Sequence, residues 1–284
     1  MTIKEALIGG QKILDPQEKY LNSQADSERL LEFVLQIDKT QLYLNLETSL
    51  SFWQKIKYQK LIKKRSRLYP LAYLIGEVGF YNLTLKIKPG VFIPRPESEL
   101  LVDELLKIIN RTEASVRVAE IGVGSGAIAL SLLKNSEQKI SAYYANDLSF
   151  RARLCTKHNA RILNLANKIK VIAGRDLKPL LPYHAEILIA NPPYVPYQKY
   201  QQSPSIQAEP WRAITDKNDG LDFFRRLVTD LQKANYYPQI IALEFDEDTT
   251  TTLLKILAPL FAHYTYQVHQ DWQKLDRFII LQKI

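Results

Sequence analysis

The chain has 284 residues, 46% of them hydrophobic, enough for a large core or two smaller ones. A single cysteine, Cys155, excludes an internal disulfide framework or a cysteine-cluster metal site, and His158, His184, His263 and His269 form no pair at ligand spacing. The net charge of +8 points to an acidic partner, whereas no apolar run nears the ~18 residues of a membrane span and Met1-Thr2-Ile3-Lys4-Glu5 is unlike a secretory leader, so a cytoplasmic, metal-free protein is expected.

The first segment predicts helices. Asp26 or Ser27 caps one through Leu30, Leu31, Phe33, Val34 and Leu35, whose spacing follows the helical period. Thr40 to Leu46 offers a short second helix, and Ser51-Phe52-Trp53 opens a third that runs to about Leu68. The third helix carries Lys55, Lys57, Lys60, Lys63, Lys64, Arg65 and Arg67 with no acid among them, as either a solvated face or a docking surface for an acidic macromolecule. No β signal precedes Tyr81, so residues 1–75 read as a small helical bundle. Phe80 to Ile87 and Val91 to Ile93 flank Lys88-Pro89-Gly90 and read as a β-hairpin, making residues 76–95 a linker to a second domain over 96–284.

Pro94-Arg95-Pro96-Glu97-Ser98-Glu99 then leads into an amphipathic helix to about Ile109, with Glu97 and Glu99 at the positive end of its dipole. Arg95 stands between two prolines with nothing local to pair with. Val116 to Ile121 reads as a strand, Gly122-Val123-Gly124-Ser125-Gly126 as a tight loop, and Ala127-Ile128-Ala129-Leu130 as the start of a helix. That order lets a ligand approach the backbone closely at a helix N-terminus; the glycine spacing differs from the usual dinucleotide fingerprint without excluding a dinucleotide. Glu120 before the loop suits a cationic ligand group, and Asp147, closing the strand Ile140 to Ala145, stands where a ribose diol is gripped.

Strands at Ile169 to Ala173, Ile187 to Ala190, Ile240 to Phe245, Tyr264 to Val268 and Phe278 to Leu281 alternate with helices near 220–234 and 251–261. They predict an α/β, doubly wound sheet whose last two strands form an antiparallel edge. The apolar run Ile187-Leu188-Ile189-Ala190 delivers Asn191-Pro192-Pro193-Tyr194. Two prolines remove two backbone donors and stiffen the exit from the sheet. The motif is either an ordinary stiff turn or a site for a planar amide or amino nitrogen. In the second case Asn191 Oδ1 and the Pro192 carbonyl each accept one N–H, and Tyr194 stacks on the plane.

The series Pro94 to Glu99, Glu120 to Gly126, Asn146-Asp147 and Asn191 to Tyr194 resembles the release-factor glutamine methyltransferases, the HemK/PrmC family. Pro70 to Gly76, Glu209-Pro210, Asp219-Gly220-Leu221 and Asp276-Arg277 extend the match over nearly the whole chain. The resemblance implies a Rossmann-like, seven-stranded methyltransferase domain that uses S-adenosylmethionine, preceded by a helical substrate-recognition domain. It implies methylation of the glutamine side-chain amide in the Gly-Gly-Gln motif of peptide chain release factors, with no stable nucleic-acid binding. It assigns Gly122, Val123, Gly124, Ser125, Gly126, Asp147 and Asn191 to the cofactor, and Asn191, Pro192, Pro193 and Tyr194 to the glutamine. Asn191, Pro192 and Tyr194 then carry the chemistry by positioning, since no base lies near them in sequence.

Three departures stand out: Glu120 where Asp is usual, Leu177 after Asp176 where some members carry an aromatic residue, and Glu244-Phe245-Asp246 without the usual histidine and glycine. Asn-Pro-Pro-Tyr is shared with adenine amino methyltransferases of nucleic acids, a second reading that would need a target-recognition region. A third is a non-catalytic binding module, against which the intact glycine loop argues. Cys155 reads as packing.

Overall fold

The computed structural model describes residues 1–136 and 138–284. These form two compact units, Met1–Glu77 with Ser203–Ala208 and Val78–Gln202 with Glu209–Ile284.

The first unit holds helices α1 (Ile3–Leu14), α2 (Ser23–Leu35), α3 (Lys39–Leu44), α4 (Phe52–Arg65) and α5 (Leu71–Ile75). Helix α1 was not expected from the sequence. Thr2 and Glu5 close a reciprocal capping box at its start, and Ile3, Ala6 and Leu14 are its buried apolar residues. Helix α2 begins earlier than expected because Asn22, not Asp26 or Ser27, caps it by accepting the Ala25 N–H. Ser27 instead shares a hydrogen bond of 2.6 Å with the buried Tyr58 hydroxyl, which also donates to the Ala6 carbonyl. Asp26 is buried and takes the Arg65 guanidinium at 2.6 Å, so Arg65 leaves the basic run. Lys57, Lys60, Lys63 and Lys64 stay exposed on α4, as does Arg67 in the turn that follows it, with Lys57 Nζ 4.4 Å from the Phe33 ring centre.

The hairpin is not where the sequence placed it. Its strands are β1 (Glu77–Phe80) and β2 (Leu83–Lys86), and Val91 to Ile93 is no strand. The turn is Tyr81-Asn82, both at positive φ, the two-residue geometry that matches strand twist. Asn tolerates that region; Tyr81 is held there by an N–H to Glu99 and a hydroxyl 2.6 Å from Asp103. Lys88-Pro89-Gly90 is a separate turn, closed by the Val91 N–H on the Lys88 carbonyl.

The remaining elements are α6 (Glu97–Arg111), β3 (Val116–Ile121), α7 (Ala127–Asn135), β4 (Ile140–Asp147), α8 (Phe150–Ile162), β5 (Ile169–Ala173), β6 (Ile187–Ala190), α9 (Tyr197–Gln201), α10 (Asp222–Ala234), β7 (Ile240–Glu244), α11 (Thr250–Leu257), β8 (Tyr264–Gln270) and β9 (Asp276–Lys283). The sheet has seven strands in the order β5-β4-β3-β6-β7-β9-β8. The first five run parallel, while β9 is antiparallel to both β7 and β8, as expected for the edge. Every residue of β6 and β7 is buried, because apolar cores cover both faces. Among the described residues no helix is long and apolar enough to cross a membrane.

The Asp26–Arg65 pair gives a test of the helical unit. Asp26→Ala strands a largely buried guanidinium and is expected to cost up to about 3 kcal/mol in denaturant unfolding, whereas Asp26→Ala with Arg65→Met recovers most of it. An unchanged midpoint for the single variant would show that the pair carries no stability.

Candidate active site

Strand order reverses between β3 and β6, and open α/β sheets bind ligands at the carboxyl ends of strands at such a point. A cavity of about 760 Å³ opens there. Gly122, Val123, Gly124 and Ser125 line it, with Asp147 from the end of β4 and Asn191, Pro192 and Pro193 from the end of β6. The glycine loop folds back over β4: the Gly122 and Val123 N–H groups both donate to the Asn146 carbonyl. Gly122 and Gly124 sit at positive φ, and a side chain on Gly124 would meet no protein atom, so open space lies beside that backbone. Gly126 is placed differently from the expectation. It does not line the cavity, and a Cβ there would press on Leu130 and Thr156 at 3.0 Å, so it serves the turn into α7.

Helix α8 holds the loop from behind. Thr156 Oγ1 donates to the Gly124 carbonyl, and Asn159 Nδ2 donates to the Ser125 carbonyl. The sequence offered no local sign of either contact, which join residues over thirty apart. Asp147 accepts the Gly124 N–H at 3.0 Å and the Ser149 N–H at 2.7 Å. Burial nevertheless raises its pKa. Glu120 is fully buried at the cavity wall, and burial pushes its pKa up to about 8 although the Tyr143 hydroxyl donates to it at 2.6 Å.

On the opposite wall a chain of polar groups runs from Asn191 through Ser98, which also lines the cavity. Asn191 Nδ2 donates to Ser98 Oγ at 3.2 Å, and Ser98 donates to Glu244 Oε2 at 2.7 Å. The Tyr194 hydroxyl donates to the other Glu244 oxygen at 2.8 Å. Burial raises the Glu244 pKa, while hydrogen bonding from Ser98, Tyr194 and, to a lesser degree, Asn191 opposes the rise. Tyr194 departs from its expected place: it is not among the residues lining the cavity, and it packs against the apolar core that holds Leu188 and Ala190. Leu177 is fully buried in the same core and does not reach the cavity. In its place the loop after β5 presents Gly174, Arg175 and Asp176, with Asp176 paired to Arg226 at 2.8 Å. Asp246, where a histidine was the usual residue nearby, accepts Lys199 Nζ at 2.9 Å.

Arg95 proves to have a partner far along the chain. Its guanidinium bonds the buried Glu209, whose other oxygen accepts the Ile93 N–H. This clamps the Pro94-Arg95-Pro96 segment to a loop whose Pro210, Trp211, Ala213 and Thr215 line the cavity. The Val195 N–H bonds the Ile214 carbonyl and the Tyr197 N–H the Asn218 carbonyl, so the same loop secures the chain after Tyr194.

A seven-stranded sheet with this order, a glycine loop after its central strand and an acid closing the next strand define an S-adenosylmethionine-dependent methyltransferase. A family model for the methyltransferase small domain matches residues 82–211, and one for the PrmC N-terminal domain matches residues 5–76. Release factor glutamine methyltransferase from Moorella thermoacetica is 32% identical over 253 residues, covering 89% of this chain and 88% of that protein. The enzyme of that name from Thermodesulfovibrio yellowstonii is 31% identical over 277 residues, covering 96% and 97%. The chain belongs to the release factor glutamine methyltransferase family. Among solved structures, the human METTL16 catalytic domain in complex with a MAT2A 3′UTR hairpin matches with a TM-score of 0.57 at 16% identity, over 84% of this chain and 85% of that one. At that identity the likeness speaks for the fold.

Gly220 tests how the Asn191 turn is held. It sits at positive φ, and a Cβ there would fall 2.0 Å from the Tyr194 carbonyl oxygen. Gly220→Ala is expected to add ~1–3 kcal/mol of backbone strain and, by displacing Asn191 to Tyr194, to lower turnover at least tenfold. Wild-type turnover in a folded Gly220→Ala protein would show that the turn does not depend on this contact.

Proposed function

We propose that the protein transfers the methyl group of S-adenosylmethionine to the side-chain amide nitrogen (N5) of the glutamine in the Gly-Gly-Gln motif of peptide chain release factors, in the cytoplasm. The observation that carries this reading is that Asn191 and Pro192 line the same cavity as the glycine loop and Asp147. The cofactor, when bound, supplies an electrophilic methyl group on a sulfonium sulfur. Open space beside Gly124, an acid at the end of β4 and a second acid at the wall form a donor set that suits such a molecule. The backbone of Gly122 to Ser125 would lie along it, Asp147 would accept hydrogen bonds from its ribose, and Glu120 would face its cationic end.

An amide nitrogen is a poor nucleophile because its lone pair is delocalised. Asn191 Oδ1 and the Pro192 carbonyl would accept hydrogen bonds from its two N–H groups, orient it toward the methyl group and stabilise the positive charge that grows on it. Once the methyl group had been transferred, one amide proton would leave to water. Alignment of this kind supplies up to about 7–11 kcal/mol without a dedicated base. Tyr194 and Pro193 keep Asn191 and Pro192 in register. No nucleic acid is needed as a partner. The exposed stripe of Lys57, Lys60, Lys63 and Lys64 on α4, with Arg67 just beyond it, serves to dock an acidic face of the release factor.

Three expected outcomes test this reading. Asn191→Ala should cut single-turnover methylation of a release factor by roughly a hundredfold or more, with cofactor affinity little changed. Near-normal turnover would remove the amide-acceptor role. For Glu120, a carboxyl held protonated up to about 8 loses its proton when a cationic group arrives beside it. Cofactor binding at pH 7 should therefore release a fraction of a proton, seen by calorimetry in buffers of different ionisation heat, and Glu120→Gln should abolish that release. Equal heats in all buffers would place the cation elsewhere. Finally, replacing Lys60, Lys63 and Lys64 with Gln should slow association with the intact factor and flatten its salt dependence, leaving activity on a short Gly-Gly-Gln peptide unchanged. Wild-type rates on the intact factor at low salt would leave the stripe a solvated face.

A further inference from the structure

The oxygen and the amino group at the end of an asparagine side chain are nearly equal in size. Shape therefore cannot decide which faces a ligand; hydrogen-bond partners must. At Asn191 the choice matters, because an acceptor facing the cavity welcomes an amide N–H and a donor repels it. Both orientations fit the space, so something behind the side chain has to break the tie.

That something is two side chains from distant parts of the sequence. Glu244 closes β7 and Ser98 lies in the first turn of α6, and both are buried. As a carboxylate, Glu244 only accepts, and it takes a hydroxyl on each oxygen: Ser98 at 2.7 Å and Tyr194 at 2.8 Å. The one Ser98 proton is thus committed to Glu244. Ser98 has only lone pairs left to offer Asn191, so only the NH2 end can settle on it, as the 3.2 Å contact from Nδ2 records. Among the described residues, the hydrogen bond Asn191 makes is the one from Nδ2, and the side chain lines the cavity. Tyr194, three residues further on, is tied to the same carboxylate, so both side chains of the motif answer to Glu244.

We infer that Glu244, acting through Ser98, fixes the acceptor end of the Asn191 carboxamide toward the cavity, making Ser98 and Glu244 positioning residues for methyl transfer. The inference rests on the amide-acceptor reading of Asn191 given above. It assigns a role to a serine inside the Pro-Arg-Pro-Glu-Ser-Glu segment and to an acid that touches neither cofactor nor substrate. Groups that orient a ligand-contacting side chain from behind usually matter by roughly tenfold to a hundredfold.

The test is single-turnover methylation of a release factor together with calorimetric cofactor binding. Ser98→Ala should lower the rate by roughly tenfold to a hundredfold while cofactor affinity and the KM for the release factor stay within about twofold. Ser98→Thr, which keeps the hydroxyl, should restore most of the rate. Glu244→Gln should lose less than Ser98→Ala, because one of the two glutamine orientations rebuilds the chain, and should add nothing on top of it. The decisive readout is the double variant Ser98→Ala with Asn191→Ala: it should be no slower than Asn191→Ala alone, since Ser98 acts only through Asn191. Additive losses, or a wild-type rate for Ser98→Ala, would overturn the inference. If Asn191→Ala itself retains its rate, the amide-acceptor reading falls first; if it is slow and Ser98→Ala is not, only the positioning role falls.

Discussion

Two parallel strands, β3 and β6, lie side by side at the centre of the sheet and end at the same edge. Their connections leave toward opposite sides because the strand order reverses between them. The crevice this opens is the constraint on which the site depends. Each wall is a turn that ordinary residues would not make: a loop with three glycines at positive φ on one side, and two consecutive prolines on the other. The walls come close, since a side chain on Gly122 would lie 3.8 Å from the Asn191 carbonyl oxygen. In the proposed reading, backbone geometry would bring a methyl donor and a methyl acceptor to one cavity before any side chain contributes.

The side chains then divide the work by burial. Glu120 and Glu244 are both buried, and burial raises the pKa of each, yet their surroundings differ. Glu120 has one hydroxyl donor and a place on the cavity wall, where the proposed reading would have it ionise beside an arriving cation. Glu244 has two hydroxyl donors, from Ser98 and Tyr194, and holds the opposite wall in place. Asp147 is used structurally, as a brace between Gly124 and Ser149, and presents the same carboxylate to the cavity. One sheet edge thus carries three acids with three different tasks.

Much of this was legible in the sequence, for identifiable reasons. Strands β3, β5 and β6 follow from short apolar runs bounded by turn residues, and the glycine loop and Asn191-Pro192-Pro193-Tyr194 are local patterns. The order of elements was enough for the doubly wound sheet and its antiparallel edge. What stayed hidden was non-local. Ser98 and Glu244 are 146 residues apart, and Arg95 and Glu209 are 114 apart; neither pair leaves a trace in spacing. The hairpin was misplaced because Lys88-Pro89-Gly90 carries stronger turn residues than Tyr81-Asn82, whose positive φ is secured by Glu99 and Asp103 on α6. Tyr194 looked like a stacking platform because its hydroxyl partner, Glu244, lies 50 residues downstream. Helix α1 escaped because its capping box, Thr2 to Glu5, is a four-residue signal and the stretch behind it is interrupted by Gly9 and Gly10, poor helix formers.

The central claim is that one cavity joins the cofactor to a glutamine amide. The most direct measurement offers the protein S-adenosylmethionine labelled in its methyl group together with either a peptide chain release factor or duplex DNA, and maps the label by mass spectrometry. The account predicts label on the factor alone, at the side-chain nitrogen of the glutamine in Gly-Gly-Gln, and none after that glutamine is changed to glutamate. Label on DNA adenine, or on the release factor at any other residue, would contradict it.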